Sequence, residues 1–440
     1  MQPTPGLDAK LHQWFDDHAD DVVKLAQDLI SIPSVNPKFN PEESPYGEAN
    51  VQEYIADYLH RLGMDPVLYA ASDDRLNLHT PLNPEADRTI AFNGHVDVVP
   101  AGDERSWSFP PFSGALSNGR IYGRGAMDMK GGIASALLAL RALHDTGFEI
   151  DGKVGMHTVV DEEAGGFGTR DLLSRMKFAP DGVIVGEPSN EEIQIAAGGL
   201  DWVRVTIRGR SGHAGWRFAE IYPQPFESPE RDAGTSINAI DLASNFLQAV
   251  NGLERQWSAT KVHPLLPPGI TTISPGVIRG GSGLDGQGLP TLFNNPAVIP
   301  DSVAIDFDLK FIPGDDDSVR AEFEDFVSTW AKQHYWTANN PPLVKWEVAD
   351  LRFPSMDTPF DDSLVTALSQ SVEASGSAPQ VTGFPAVADS AFYAAAGSAA
   401  VIYGPQGGGI HGPDEWVSID SLKRVSRNLS LAALAYLDGR

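Results

Sequence analysis

Cysteine is absent from the 440-residue chain. Disulfides, thiolate zinc sites, iron–sulfur clusters and cysteine nucleophiles are thereby excluded, and any metal must be held by His, Asp, Glu or water. Basic residues are scarce: 32 Lys and Arg stand against 59 Asp and Glu, a formal net charge of -27. A field of that sign repels phosphate backbones and anionic lipid, so neither nucleic acid nor a membrane surface is an expected partner. Also missing is any uninterrupted apolar run near ~20 residues. Residues Met1 to Asp17 show no basic stretch leading into an apolar one, which makes a cytoplasmic location the expectation. The 43 Gly and 33 Pro are too few and too scattered for a collagen-like or low-complexity chain. What is present, 42% hydrophobic residues, gives core enough for roughly two to three domains.

Apolar periodicity predicts covering helices through Leu11, Phe15, Val22, Ala26 and Leu29, and through Val51, Ile55 and Leu59, the latter closed by Gly63. Strand-like runs follow at Thr89 to Asn93, Val154 to Val160 and Gly182 to Gly186, with an apolar helix at Ile133 to Leu143. That alternation predicts an α/β layer fold. Near Gly198 the rhythm changes: Val203, Val205 and Ile207 alternate with Arg204, Thr206 and Arg208, as in a strand with one wet face. A helix (Ser236 to Gln256), strands at Ile270 to Ile278 and Val303 to Phe311, a helix opened by Asp315 to Asp317, and Leu343 to Val348 complete a βαββαβ, ferredoxin-like order. The final stretch holds one clear strand (Ala400 to Tyr403) and a helix (Ile419 to Leu437) that needs a sheet to pack against. It is too short for a core of its own, so residues 1–197 and 352–440 are expected to form one catalytic domain interrupted by residues 198–351, an inserted α+β domain.

On this map the polar clusters fall where strands end: Gly94-His95-Val96-Asp97, Gly125-Ala126-Met127-Asp128, Asp161-Glu162-Glu163, Gly186-Glu187-Pro188 and Ile410-His411-Gly412. Open α/β sheets bind ligands at the carboxyl ends of their strands. Alone, His95 reads as an ordinary loop histidine, Asp128 as a helix N-cap and Glu162-Glu163 as surface charge. Together, two His and several carboxylates suit one or two divalent ions of zinc type. Asp97, two residues after His95, is placed to accept the second ring N–H and fix the tautomer. In the acidic doublet one carboxylate can ligate while its neighbour serves as base, taking a proton from metal-bound water of lowered pKa and passing it to a leaving amine.

The ordered set GHVDVVP, YGRGAMDMKGG, DEEAGGFGT, GEPS, GGLDWVRVTIRGRSGHA and GGGIHGPDEW resembles the M20 family of metallopeptidases and aminoacylases over nearly the whole chain. The resemblance implies a zinc-peptidase-like catalytic α/β domain with a mixed sheet, interrupted by an inserted lid that also serves dimerisation, hence a homodimer. It implies His95, Asp128 and Glu187 as ligands of one zinc, and Asp128, Glu163 and His411 as ligands of a second, with Glu162 the general base. Co or Mn fits the same ligands. It further implies a cis Asp128-Met129 peptide, His213 as a lid histidine that reaches a neighbouring subunit's site to stabilise the oxyanion, assisted by Asn294 or Asn295, and substrate contacts from Lys310 and Asp389.

Two departures bear on substrate. Lys310 stands where many relatives carry a carboxylate-gripping Arg, and a point charge lacks the bidentate fork; Arg217 and Arg279 are the alternatives. Val387 stands where some diacid-handling relatives place a hydroxyl. The stretch Trp216 to Arg231 is a longer lid loop, read either as surface elaboration or as a substrate wall or dimer contact. The expected activity is hydrolysis of the amide of a small N-acyl amino acid or related N-substituted carboxylate. The alternatives are a dipeptidase or carboxypeptidase on short peptides, a carbamate or amidine hydrolase, and, against six intact positions, a binding protein without chemistry.

Overall fold

The computed structural model describes residues 7–39, 46–72, 74–150, 152–217 and 236–439. Two compact units emerge, Met1–Ala197 with Phe353–Arg440, and Gly198–Arg352. The first opens with helices α1 (Leu7–His18), α2 (Asp21–Ile30) and α3 (Tyr46–Arg61). Then come β1 (Val67–Ser72), β2 (Arg75–His79), β3 (Ile90–His95), α4 (Gly131–Asp145), β4 (Val154–Val159), α5 (Phe167–Met176), β5 (Gly182–Val185) and β6 (Ile193–Ala197). The second unit supplies β7 (Gly199–Arg208), α6 (Ala239–Thr260), β8 (Thr272–Leu284), β9 (Ser302–Phe311), α7 (Ser318–Ala331) and β10 (Leu343–Lys345). The first unit resumes with β11 (Met356–Asp357), α8 (Ser363–Ala374), β12 (Val381–Phe384), α9 (Ser390–Ala395), β13 (Ala399–Ile402) and α10 (Ile419–Leu437).

The first unit is built on a nine-stranded mixed sheet in the order β1-β2-β4-β3-β5-β13-β6-β11, with β12 beside β6. At its centre β4, β3, β5 and β13 run parallel. Every residue of β3, β4 and β5 is buried, which is why they read as apolar runs without alternation. Helix α10 packs beside α4 and α8, with α1 and α2 at its flanks, and lies on the sheet as expected, Tyr436 standing over Gly182 of β5 and Asn428 donating to the Tyr403 hydroxyl just past β13 at 2.7 Å. A small sheet joins Ala115–Ser117, Arg120–Tyr122, Trp416–Ser418 and Gly407–Gly408, flanking the two loops that carry Asp128 and His411.

The second unit is an antiparallel sheet in the order β8-β9-β7-β10 with α6 and α7 packed on it, the ferredoxin-like arrangement. Val203, Val205, Ile207, Phe307 and Phe323 form its core, with Phe246 edge-on to Trp330 at 4.9 Å. The expected wet face of β7 is exposed at Trp202 and Arg208 and covered between them, where Arg204 and Thr206 are buried. Arg204 is spent on a two-pronged ion pair with Asp306 across the sheet (2.5 and 2.8 Å), and the Thr206 hydroxyl reaches the Gly288 carbonyl. The long loop read from Trp216 to Arg231 lies, from residue 218 onward, outside the described residues. Among the described residues no helix is long and apolar enough to cross a membrane.

Candidate metal centre

Three parallel strands deliver most of the polar cluster. His95 is the last residue of β3, in register with Val159 of β4, while Asn93 is in register with Val185 of β5. The carboxyl ends of β4 and β5 therefore bring Glu162, Glu163 and Glu187 level with His95. Asp128 arrives from a loop that turns at Gly125 (φ +80°) and leaves helical geometry at Asp128 and Met129, whose peptide is cis. That loop feeds directly into α4, and α4 lies hard against the Glu187 loop: a Cβ on Gly132 would stand 2.0 Å from the Gly186 carbonyl oxygen, so only glycine allows the approach. His411, at φ +60°, projects from the loop between Gly407–Gly408 and Trp416–Ser418.

His95 Nε2 lies 3.1 Å from Asp128 Oδ1 and 3.6 Å from Glu187 Oε1. His411 Nε2 lies 3.0 Å from Glu163 Oε2 and 3.3 Å from Asp128 Oδ2. Two three-residue groups with mutually close donor atoms result, His95 with Asp128 and Glu187, and Asp128 with Glu163 and His411, sharing Asp128. Buried Glu187 Oε1 and Glu163 Oε1 have no hydrogen-bond partner, an arrangement that costs free energy unless a cation is supplied. The donor set and its orphaned oxygens fit divalent ions. Glu162 stands in neither group, with Oε2 3.9 Å from His95 Nε2.

The role expected of Asp97 needs correction. His95 Nδ1 donates to the Asp97 main-chain carbonyl at 2.9 Å, whereas the carboxylate is 3.7 Å away. The tautomer is still fixed with Nε2 facing the centre, but by a backbone oxygen. The Asp97 carboxylate turns instead to Asn36 Nδ2 (2.8 Å) and to the backbone N–H groups of Glu162 (3.2 Å) and Glu163 (3.3 Å), so it seats the acidic doublet. Asn36 also donates to Asp161, which takes Arg75 Nη1 (2.7 Å) and Lys38 Nζ (2.6 Å); Arg75 in turn grips Glu48 with two further bonds. Asn36, Arg75 and Glu48 carried no signal in the sequence, lying on separate elements far from the doublet they support.

Asp389, expected to contact substrate, is 1% exposed with neither carboxylate oxygen hydrogen-bonded. Burial pushes its carboxyl up to about 7 against the pull of His95 and of the neighbouring Thr169 side chain. It is a further buried acid near the ligands. His213, Asn294 and Asn295 are exposed on the second unit, where the segment 212–214 pairs with 297–299. Lys310 is half-buried on β9, on the face shared with Asp306 and Asp308. The two alternative arginines are already paired, Arg279 with Asp306 at 3.2 Å and Arg217 with Asp241 at 2.6 Å.

Burial and the neighbouring charge of Glu187 push the Glu162 carboxyl well up, and burial does the same to Glu187 and, less far, to Glu163. His95 is held well above its ordinary range because Glu187, Asp128 and Glu162 outweigh its burial, and hydrogen bonds to Asp128 and Glu163 raise His411 to about 10. Asp128 is lowered, its burial outweighed by the two imidazoles. Raised groups stabilise the fold below their unfolded pKa, and that contribution is lost as pH rises through the folded value. The chelated protein should therefore lose stability from the carboxylate range up towards about 10. Divalent ions held there would replace those protons and bind the deprotonated set. The gap in Tm between loaded and chelated protein is expected to widen from roughly pH 5 to roughly pH 8; calorimetry showing it narrow would contradict this account.

Comparison with known proteins follows the same line. The model of Peptidase family M20/M25/M40 matches residues 91–435. An N-formyl-4-amino-5-aminomethyl-2-methylpyrimidine deformylase from Bacillus subtilis is 29% identical over 433 residues, covering 95% of each chain. A succinyl-diaminopimelate desuccinylase from Hydrogenovibrio crunogenus is 26% identical over 421 residues, 92% of this chain and 96% of its own. The solved aminopeptidase PepT from Bacillus cereus shares the fold with a TM-score of 0.66 at 19% identity, covering 96% of this chain and 99% of that one.

Proposed function

The chain belongs to Peptidase family M20/M25/M40, a family of metal-dependent hydrolases, and from that premise we propose that it is a two-metal deacylase acting on small N-acyl compounds. The observation that carries the reading is the pair of ligand groups sharing Asp128, with Glu162 left out of both and beside them. His95, Asp128 and Glu187 would hold one ion, and Asp128, Glu163 and His411 the other, with zinc favoured by the mixed imidazole and carboxylate donors. When bound, such ions supply polarisation of the scissile carbonyl and a lowered pKa for water. Glu162 takes a proton from the attacking water and returns it to the departing nitrogen, a role that a buried carboxylate outside both ligand groups suits. Asp97 keeps Glu162 and Glu163 in place through their backbone N–H groups.

Two relatives matched over more than nine-tenths of both chains are named for removing an acyl group, formyl in one and succinyl in the other. That supports the deacylase reading above the dipeptidase one. The pairing of Arg279 and Arg217 within the protein leaves Lys310 as the proposed contact for an acidic substrate end, and supports substrates with little carboxylate character. For His213, Nδ1 accepts from the Gly215 N–H at 3.0 Å, so the neutral ring carries its proton on Nε2 and can donate to an oxyanion, with Asn294 or Asn295 in support. His213→Ala is expected to lower kcat by roughly 100- to 1,000-fold with KM little changed; steady-state kinetics with kcat unchanged, whether or not KM rises, would remove His213 from this role.

The function is tested by release of primary amine from N-formyl, N-acetyl, N-succinyl and long-chain N-acyl substrates, with free dipeptides and N-carbamoyl compounds alongside. One acyl series turned over in preference would support the reading and name the pocket. Turnover of dipeptides alone would replace it with a peptidase.

A further inference from the structure

Glu415 lies four residues beyond His411 in the same loop and is fully buried. Its carboxylate accepts from three backbone groups of the Asp128 loop: the Gly125 N–H at 3.2 Å, the Met127 N–H at 2.9 Å and the Asp128 N–H at 3.1 Å. Its fourth donor is the guanidinium of Arg124, itself 1% exposed. Arg124 spends its other terminal nitrogen on two more carbonyls, Gly412 at 3.1 Å, next to His411, and Pro100 at 3.3 Å, on the chain that leaves His95. The Glu415 carbonyl also accepts from the Gly123 N–H at 2.9 Å, and the Arg124 guanidinium lies 5.3 Å from the Trp107 ring centroid.

A buried ion pair is a weak source of net stability, because desolvation offsets the attraction. Its use here is geometric. One carboxylate and one guanidinium join the loops that carry Asp128 and His411, which come from residues far apart in the chain and share no strand pairing at the ligands themselves. We infer that the Arg124–Glu415 pair is a positioning device for the second ligand group, holding Asp128 and His411 at the separation that lets both reach one ion. This rests on the two-metal reading above. Neither residue is a ligand, and neither touches the reacting atoms. The first group is less dependent on the pair, since His95 and Glu187 are set by the parallel strands β3 and β5.

Calorimetric titration of the chelated full-length protein with Zn tests this. Wild type is expected to show two binding events, one of which His411→Ala abolishes, and that control assigns the event to the second group. Glu415→Gln should weaken that event about 10- to 100-fold, the usual cost of losing an outer partner of a metal ligand, and weaken the other event less, because the two groups share Asp128 but only the second also depends on the His411 loop. Arg124→Lys keeps the charge but cannot span both carbonyls and the carboxylate, so it should weaken the same event. If Glu415→Gln does not fold, as judged by circular dichroism, the Arg124→Lys titration decides the matter by itself. Unchanged affinities, or equal weakening of both events, would overturn the inference. A wild-type protein that binds fewer than two ions would instead overturn the two-metal reading, and the two failures are thus distinct.

Discussion

Asp128→Ala is expected to leave a folded protein that binds neither ion tightly and has no measurable turnover. Asp128 is the one residue common to both ligand groups, with one oxygen 3.1 Å from His95 Nε2 and the other 3.3 Å from His411 Nε2. Its removal leaves each group with a single imidazole and a single carboxylate, short of the three protein ligands that a catalytic ion of zinc type ordinarily keeps. The loss of affinity should exceed, at each site, the roughly 10- to 100-fold that follows from removing an outer partner. Elemental analysis after dialysis against a weak chelator measures this directly. Two ions retained per chain would mean that the shared-ligand arrangement is wrong. His95→Ala should be milder, weakening the first group and leaving Asp128, Glu163 and His411 together.

Glu162→Gln should separate metal binding from catalysis. The variant keeps the size of the side chain and both ligand groups, so two ions should remain bound while kcat falls by roughly 100- to 10,000-fold, the range that a positioned acid–base group supplies. The pH profile should carry the same signature. A general base is protonated, and inactive, on the acid side, so the wild-type rate should fall as pH drops through the pKa of Glu162, which burial and Glu187 raise and bound cations would lower. The residual rate of Glu162→Gln should lack that limb. Turnover retained in the variant would remove Glu162 from the proton path, and lost metal would make it a ligand.

The sequence was most readable where chemistry and strand periodicity coincide. His95, Glu162, Glu163 and Glu187 lie at or just beyond the ends of β3, β4 and β5, which announce themselves as short apolar runs closed by Gly or acid. The second unit was legible for the same reason, its strands and two long helices differing plainly in period. Less legible were β1, β2, β6, β11 and β12, which are short or amphipathic and owe their existence to a neighbour's hydrogen bonds more than to their own pattern. The support of the site was least legible of all. Asn36 meets Asp97 and Asp161 only after the chain has folded, and no local spacing encodes that meeting. Proximity in sequence was also misleading at Asp97: two residues from His95 it supplies its carbonyl there, and sends its carboxylate to the doublet.

Because β13 pairs directly with β5 and also touches β6, the middle of the first unit's sheet waits for a strand made long after its neighbours. During vectorial synthesis the ribosome must produce all of Gly198–Arg352, a contiguous unit with its own core, before β13 and His411 exist. At roughly 5–20 residues per second the delay is on the order of tens of seconds. Throughout that interval the nascent chain carries His95, Asp128 and Glu187, a complete first ligand group, on an interrupted sheet. The second group acquires its last ligand only as the closing segment emerges, so a polypeptide truncated before residue 399 would hold one set of three ligands and no means of assembling the other.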